Sequence, residues 1–168
     1  MVRANIRRMV SHLPMTHWQV RRAFPRETMH AIEQAIAQSE SSHVGHLCFA
    51  VEGALSFPAL LKGLSPRARA LEVFSQLHVW DTELNNGVLI YLLLADRSVE
   101  IVADRGIHAK VGAHGWESIC RQMETAFQQG EHQRGVIEGV QAVIQSLTLH
   151  FPARDRRRDE LPDKPVIL

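Results

Sequence analysis

Residues 87–95, GVLIYLLLA, carry no charge and no alternation of polar with apolar side chains. A strand solvated on one face alternates; an unbroken apolar run is the pattern of a central strand covered on both faces. Asp96-Arg97 follows as a tight turn. Val99, Ile101 and Ala103 then alternate with Glu100, Val102 and Asp104. The pattern predicts an antiparallel hairpin of 87–95 with 98–104. Its first strand needs helices on both sides, so the expected fold is α/β: a small mixed sheet of three to four strands sandwiched between helices.

The rest of the chain supplies those layers. Pro25 is suited to opening a helix of about 17 residues, with Met29, Ile32, Ala35 and Ile36 as its buried stripe. Leu47, Phe49 and Val51 alternate with their neighbours and read as a first strand. Phe57 to Leu61 reads as a short helical turn. Ser65-Pro66 is a cap and first-position pair for a helix reaching about Leu77, with Leu71, Phe74 and Leu77 as its expected buried face. His78 to Asn86 is a polar loop around Trp80. Gly106 and Gly112 loosen the chain after the hairpin. Trp116, Ile119, Cys120, Met123 and Phe127 mark a helix stopped by Gly130. Val136, Ile137, Val140, Val143, Ile144 and Leu147 mark the last one. A fourth short strand is expected in the tail or near Val20.

The chain has 168 residues, enough for one cored domain. It divides into a basic segment 1–24, an α/β domain 25–151, and a charged, proline-punctuated tail 152–168. In the first segment Ile6, Met9, Val10 and Leu13 fall at helical spacing before Pro14, and Trp18, Val20 and Phe24 tether it. A net charge of +1 gives no pull toward nucleic acid. Arginine is concentrated at the ends, at Arg3, Arg7, Arg8, Arg21, Arg22 and Arg26 and again at Arg154 and Arg156 to Arg158. Asp159, Glu160 and Asp163 partly offset the second group. Such ends read as solvated charge or as a peripheral contact with an anionic membrane. No apolar run approaches the roughly 20 residues of a membrane span, and no signal peptide is legible, so the expected location is cytoplasmic. Cys48 and Cys120 each sit in an apolar pattern and read as free buried thiols.

The polar groups worth weighing sit at one end of the hairpin. Asp81, Glu83, Asn85 and Asn86 precede the first strand, and Asp104-Arg105-Gly106 closes the second. Pairing around Asp96-Arg97 brings the two loops together. A shared pocket is one reading; turns and a surface ion pair are the other. His43 and His46 are three apart but share no assured face, and the ten histidines read as scattered surface residues. Zinc spacings, phosphate-binding loops and nucleophile elbows are absent from the sequence. Cys120, mid-helix on an apolar face, does not read as a nucleophile.

The Trp80 loop, Asn86-Gly87-Val88-Leu89-Ile90, the Asp96-Arg97 turn, Val99-Glu100-Ile101 and Gly106-Ile107 together resemble the TPM domain family. Ile119, Phe127 before Gly130, and Gly135 extend the match over about 25–150. That family includes thylakoid acid-phosphatase-like proteins of plants and many uncharacterised bacterial proteins. The resemblance implies a mixed sheet between helix layers, and it brings weak acid-phosphatase activity and calcium binding, each ascribed to some members. The family pattern has aspartates where this chain has Asn86 and Ala113. Calcium binding works by counting carboxylate charge, so the resemblance implies weaker binding here.

The function expected is that of a binding or interaction module. Its surface would be the sheet end formed by Trp80, Asp81, Glu83, Asn85, Asn86, Asp104 and Arg105, and its partner a protein or small ligand. The alternative is a weak divalent-metal-dependent phosphatase, with Asp81, Glu83 and Asp104 holding calcium or magnesium against a phosphoryl oxygen.

Overall fold

The computed structural model describes residues 8–9, 11–12, 17–153 and 165–168, the side chains of 17 and 18 excepted. Arg3, Ile6, Arg7, Val10, Leu13 and Pro14, the Trp18 side chain, and the charged tail from Arg154 to Asp163 lie outside the described residues. The elements are α1 (His17–Ala23), α2 (Arg26–Ser39), β1 (His46–Glu52), α3 (Phe57–Leu61), α4 (Pro66–Gln76), β2 (Gly87–Leu93), β3 (Ser98–Ala103), α5 (Arg105–Gln128), α6 (His132–His150) and β4 (Val166–Ile167).

The four strands form one mixed sheet in the order β3-β2-β1-β4. The apolar run is central, as its composition demands, and every residue of β2 is buried. It pairs antiparallel with β3, Ile90 opposite Ile101, and parallel with β1, Phe49 opposite Ile90. The tail supplies the fourth strand, parallel to β1 at Ala50 and Val51. The hairpin's first strand ends at Leu93, two residues short of the expected Ala95. The chain tightens into a 3-10 turn over Leu94–Asp96, and Arg97 takes the left-handed conformation at φ 51°.

Alternate strand residues feed two cores. Leu47, Phe49, Val51, Val88, Ile90, Leu92, Val99 and Ile101 face the larger one, packed with α1, α2, α5 and α6, where Val20 and Phe24 are tethered as expected. Cys48, Ala50, Leu89, Tyr91, Leu93 and Val102 face the smaller core beneath α4. Burying an apolar side chain here is worth about 1.5–3 kcal/mol relative to exposure.

Three expectations fail, each for a local reason. The buried face of α4 is Ala70, Val73 and Phe74; Leu71 is 47% exposed. A three-residue repeat drifts around a helix of 3.6 residues per turn, so Leu71 cannot share the stripe of Val73 and Phe74. Gly106 does not loosen a loop. Gly106 lies in the first turn of α5, which starts at Arg105, whereas Gly112, at φ 75° and ψ 165°, does break the chain as expected, so that α5 is two helices meeting at a kink. Nor are all the histidines surface residues, because His12 and His43 are buried. The pKa of His43 is lowered, by burial first and then by the nearby His46, although a backbone hydrogen bond at Gly45 opposes this.

Both sheet edges are occupied. β4 covers part of β1. On β3, Arg67 Nη1 donates to the Ile101 carbonyl at 2.5 Å, and the Val99 amide donates to Glu124 Oε1 at 3.0 Å. Side chains thus take up backbone groups that would otherwise template pairing with another chain.

Candidate functional site

The amino ends of β1 and β2 lie beside the carboxyl end of β3. There the Asp104 amide donates to the Gly87 carbonyl at 2.8 Å, and the His46 amide to the Asn86 carbonyl at 3.2 Å. The 78–86 loop folds over this end because Gly87 has no side chain: a Cβ there would collide with the Val79 carbonyl. Gly106 performs the same service from α5, since a Cβ would come within 2.5 Å of the Leu84 carbonyl oxygen. The Ile107 amide then reaches the Asn85 carbonyl at 3.2 Å. The expected convergence of the Trp80–Asn86 loop with Asp104–Gly106 is present.

Most of the polar groups gathered there hold the loop itself. Asn86 is 1% exposed; its Nδ2 donates to the Val44 carbonyl and its amide to Thr82 Oγ1. Asn85 sits at φ 52°, a left-handed conformation asparagine tolerates, and its Oδ1 accepts from Arg105 Nε at 3.0 Å. Arg105 lies in the first turn of α5, not in a loop, and Asp104 is that helix's N-cap, its Oδ1 accepting from the Arg105 amide at 2.7 Å. Asp104 Oδ2 is buried and takes no hydrogen bond among the described residues.

The outward surface is of a different character. Trp80 is 49% exposed and Leu84 40%, with Asp81 and Glu83 exposed between them. The Trp80 ring leans against His78 at 6.0 Å between centroids. Sequence reasoning passed over Leu84, because a single leucine in a polar loop carries no periodic signal.

A cation site needs several oxygens converging on one point. Among the described residues no three His, Cys, Asp or Glu side chains gather closely enough to hold a metal ion. Asp81, Glu83 and Asp104 are therefore not brought together as a ligand set. Asn85 Oδ1 is spent on Arg105 and Asn86 Nδ2 on Val44, and Asp104 Oδ2 is a buried carboxylate oxygen without a hydrogen bond among the described residues. Ala113 lies beside the Gly112 break and lines a groove of about 540 Å³ along the β3 edge with Glu100 and Trp116. The described side chains at this sheet end do not fit a calcium centre.

The two thiols favour the protonated form. Cys48 and Cys120 are free. Burial pushes their pKa values up to about 11 and about 12, respectively. No helix of the described residues is long and apolar enough to cross a membrane.

The carboxyl ends of β1 and β2 carry a second polar cluster, which the sequence did not announce. Glu52 Oε2 accepts from the Tyr91 hydroxyl at 2.6 Å and from Arg69 Nε at 2.9 Å. Arg69 Nη1 also reaches Glu72 at 3.1 Å. Burial, and then the Glu52 carboxylate, drive the Tyr91 pKa far above its ordinary value. Nearby, Asp96 takes Arg8 Nη2 at 2.7 Å and His12 Nε2 at 3.0 Å.

Comparison with known proteins agrees with this architecture. The TPM domain model matches residues 21–146. The solved BA42 protein from the psychrophilic bacterium Bizionia argentinensis is similar, at 28% identity and TM-score 0.73, over 84% of this chain and 92% of that one. The N-terminal domain of a P. gingivalis protein shares the fold at 21% identity and TM-score 0.62, over 78% of this chain and 82% of that one. No curated protein matches the sequence. With the family model spanning most of the chain and a solved relative laid over most of its fold, this protein belongs to the TPM domain family.

Proposed function

We propose that the protein is a binding module whose working surface is the sheet end around Trp80. The observation that carries this is the pairing of half-exposed Trp80 and Leu84 on a loop whose backbone is locked from beneath. Gly87, Gly106, Asn85, Asn86 and Arg105 fix the loop, and two large apolar side chains stay in solvent on either side of the exposed carboxylates Asp81 and Glu83. Exposed aromatics on rigid supports are the usual anchors of protein interfaces, because little entropy is lost when they are covered. Asp104, Asn86 and Arg105 are the scaffold of this surface, and Trp80, Asp81, Glu83 and Leu84 its contact face. A small ligand reaching Asp104 Oδ2 would have to supply a hydrogen-bond donor.

The metal-assisted phosphatase is the weaker reading. It requires carboxylates that converge, and Asp81, Glu83 and Asp104 do not. The test is crosslinking in the source cell with a photoreactive residue at position 84, and the same experiment in a Trp80→Ala background. A discrete adduct that disappears with Trp80→Ala supports the proposal. Adduct formation independent of Trp80, or none, sinks it.

A further inference from the structure

The opposite sheet end contains a cavity of about 400 Å³, within the size range of small-molecule pockets. It lies outside the carboxyl ends of two parallel strands, where open α/β sheets place their ligands. We propose that it binds a small zwitterion of the α-amino-acid class, with the ammonium toward Glu72 and the carboxylate toward Lys62 and Arg69.

The wall chemistry selects that class. Glu52, Lys62, Arg69 and Glu72 all line the cavity, two charges of each sign. A net-neutral wall carrying both signs disfavours simple anions and simple cations and favours a molecule carrying both. Some of these groups retain bonding capacity. Arg69 uses three N–H groups on Glu52 and Glu72, and a guanidinium has five. Glu72 is bonded through Oε2 alone, and Lys62 has no polar partner among the described residues. The Ser56 hydroxyl, at the N-cap of α3, makes no capping bond. Leu55, Pro58 and Leu64 complete the wall as an apolar surface for a side chain.

The floor is preorganised. Glu52 is 9% exposed and held by Tyr91 and Arg69, so the Arg69 guanidinium cannot swing away. A largely buried ion pair adds little stability over apolar packing of the same volume, so its place beside a cavity favours use. The roof is the α3 segment, which buries none of its own residues. It is fastened at both ends by the N-terminal segment. His12 Nδ1 accepts from the Leu55 amide at 3.0 Å, and Arg8 Nη2 donates to the Leu64 carbonyl at 2.8 Å. The cavity is thus roofed by a short element pinned from outside, which admits a ligand without disturbing the sheet.

The experiment is an amide-resolved NMR titration of the full chain with glycine, serine, leucine, glutamate and lysine, using ethylamine and acetate as single-charge controls. Saturable shifts confined to residues 52–72 are expected for at least one amino acid. Each control should bind at least about tenfold more weakly, having lost one charge-assisted contact. Lys62→Ala and Glu72→Gln should each weaken binding about tenfold with the melting temperature unchanged, because both side chains are substantially exposed. Trp80→Ala should leave this binding intact, which separates the proposal from the interaction surface at the other sheet end. No saturable shift with any amino acid, equal shifts with the controls, or wild-type binding in both variants would overturn it.

Discussion

The two ends of the parallel strands solve opposite problems. At the amino end, polar side chains are spent on holding the loop: Asn86 on the Val44 carbonyl, Asp104 on the first amide of its own helix, and Asn85 on the Arg105 side chain. The result is a rigid platform with apolar groups facing outward. At the carboxyl end, side chains from different elements bond to one another, Glu52 with Tyr91 and Arg69, and Asp96 with Arg8 and His12. The result is a charged interior. One end presents a surface and the other encloses a volume, and their stabilities should respond differently to substitution.

The largest expected effect is at the amino end. Gly87→Ala places a methyl group against the Val79 carbonyl, and a backbone atom cannot rotate aside as a side chain can. Either the 78–86 loop lifts from the sheet or β2 shifts. The cost should be about 3 kcal/mol or more, the upper end of overpacking effects. Urea unfolding measures it. A loss below about 1 kcal/mol would show that the loop is not locked by this contact.

The carboxyl end should yield a loss no larger than this, and one that can be recovered. Glu52→Ala leaves the Tyr91 hydroxyl and Arg69 without their shared acceptor and should cost about 3 kcal/mol. The triple variant Glu52→Leu, Arg69→Met, Tyr91→Phe removes the whole cluster and should unfold within about 1 kcal/mol of the parent, since apolar packing replaces paired charge. Recovery would show that the cluster is not needed for folding. A triple variant as unstable as Glu52→Ala would make the cluster a structural necessity and remove one support of the zwitterion site.

Asp96 gives this end a pH signature. Burial alone would raise its pKa, but hydrogen bonds from Arg8 and then His12 outweigh burial and hold it below the ordinary carboxylate value. A depressed folded pKa means that the unfolded chain binds the proton first. The Asp96 contribution is therefore present in full above about pH 4 and is lost as pH falls through the folded value. Asp96→Asn should cost about 2 kcal/mol at neutral pH, as expected for hydrogen bonds to a charged group. The gap between parent and variant should close on acidification below the ordinary carboxylate range. A gap constant down to pH 3 would mean that the carboxylate charge is not what fastens the N-terminal segment.

The same contrast explains what was legible in the sequence. The central strand, its antiparallel partner and the convergence of the two loops are local statements, carried by apolar runs and turn residues within 80–106. They could be read because neighbours in sequence stayed neighbours in space. The roles of Asn85, Asn86 and Arg105 could not, because an amide at a turn looks the same whether it meets a ligand or the Val44 carbonyl. The helical start at Arg105 was hidden by two glycines, which usually signal loops; here Gly106 is required by the close Leu84 backbone. The Glu52–Arg69–Tyr91 cluster was invisible because it joins β1, α4 and β2, and no spacing rule connects three elements. Glu52 read only as the last polar residue of an alternating strand, and Tyr91 as part of an apolar run.

The smallest effect on stability should accompany the largest effect on binding. Trp80 is 49% exposed, and its ring leans on His78 alone among the ring contacts of the described residues. Surface substitutions of this kind change stability by no more than about 0.5 kcal/mol. Trp80→Ala should therefore unfold with the parent and keep the Asn86 and Asp104 bonds beneath it, because those bonds involve no atom of the indole. Its contact face, by contrast, loses its largest apolar group, and truncation of a central aromatic anchor costs about 2 kcal/mol or more of binding energy, at least about thirtyfold in Kd. Leu84→Ala, which removes a smaller side chain from the same loop, should have a lesser effect in the same direction. The measurement is a pair of curves on each variant, urea unfolding and titration with whatever partner the crosslinking identifies. Wild-type affinity in both variants would place the interaction surface elsewhere. A Trp80→Ala protein that loses stability as well as binding would mean that the indole is part of the platform and does not only stand on it.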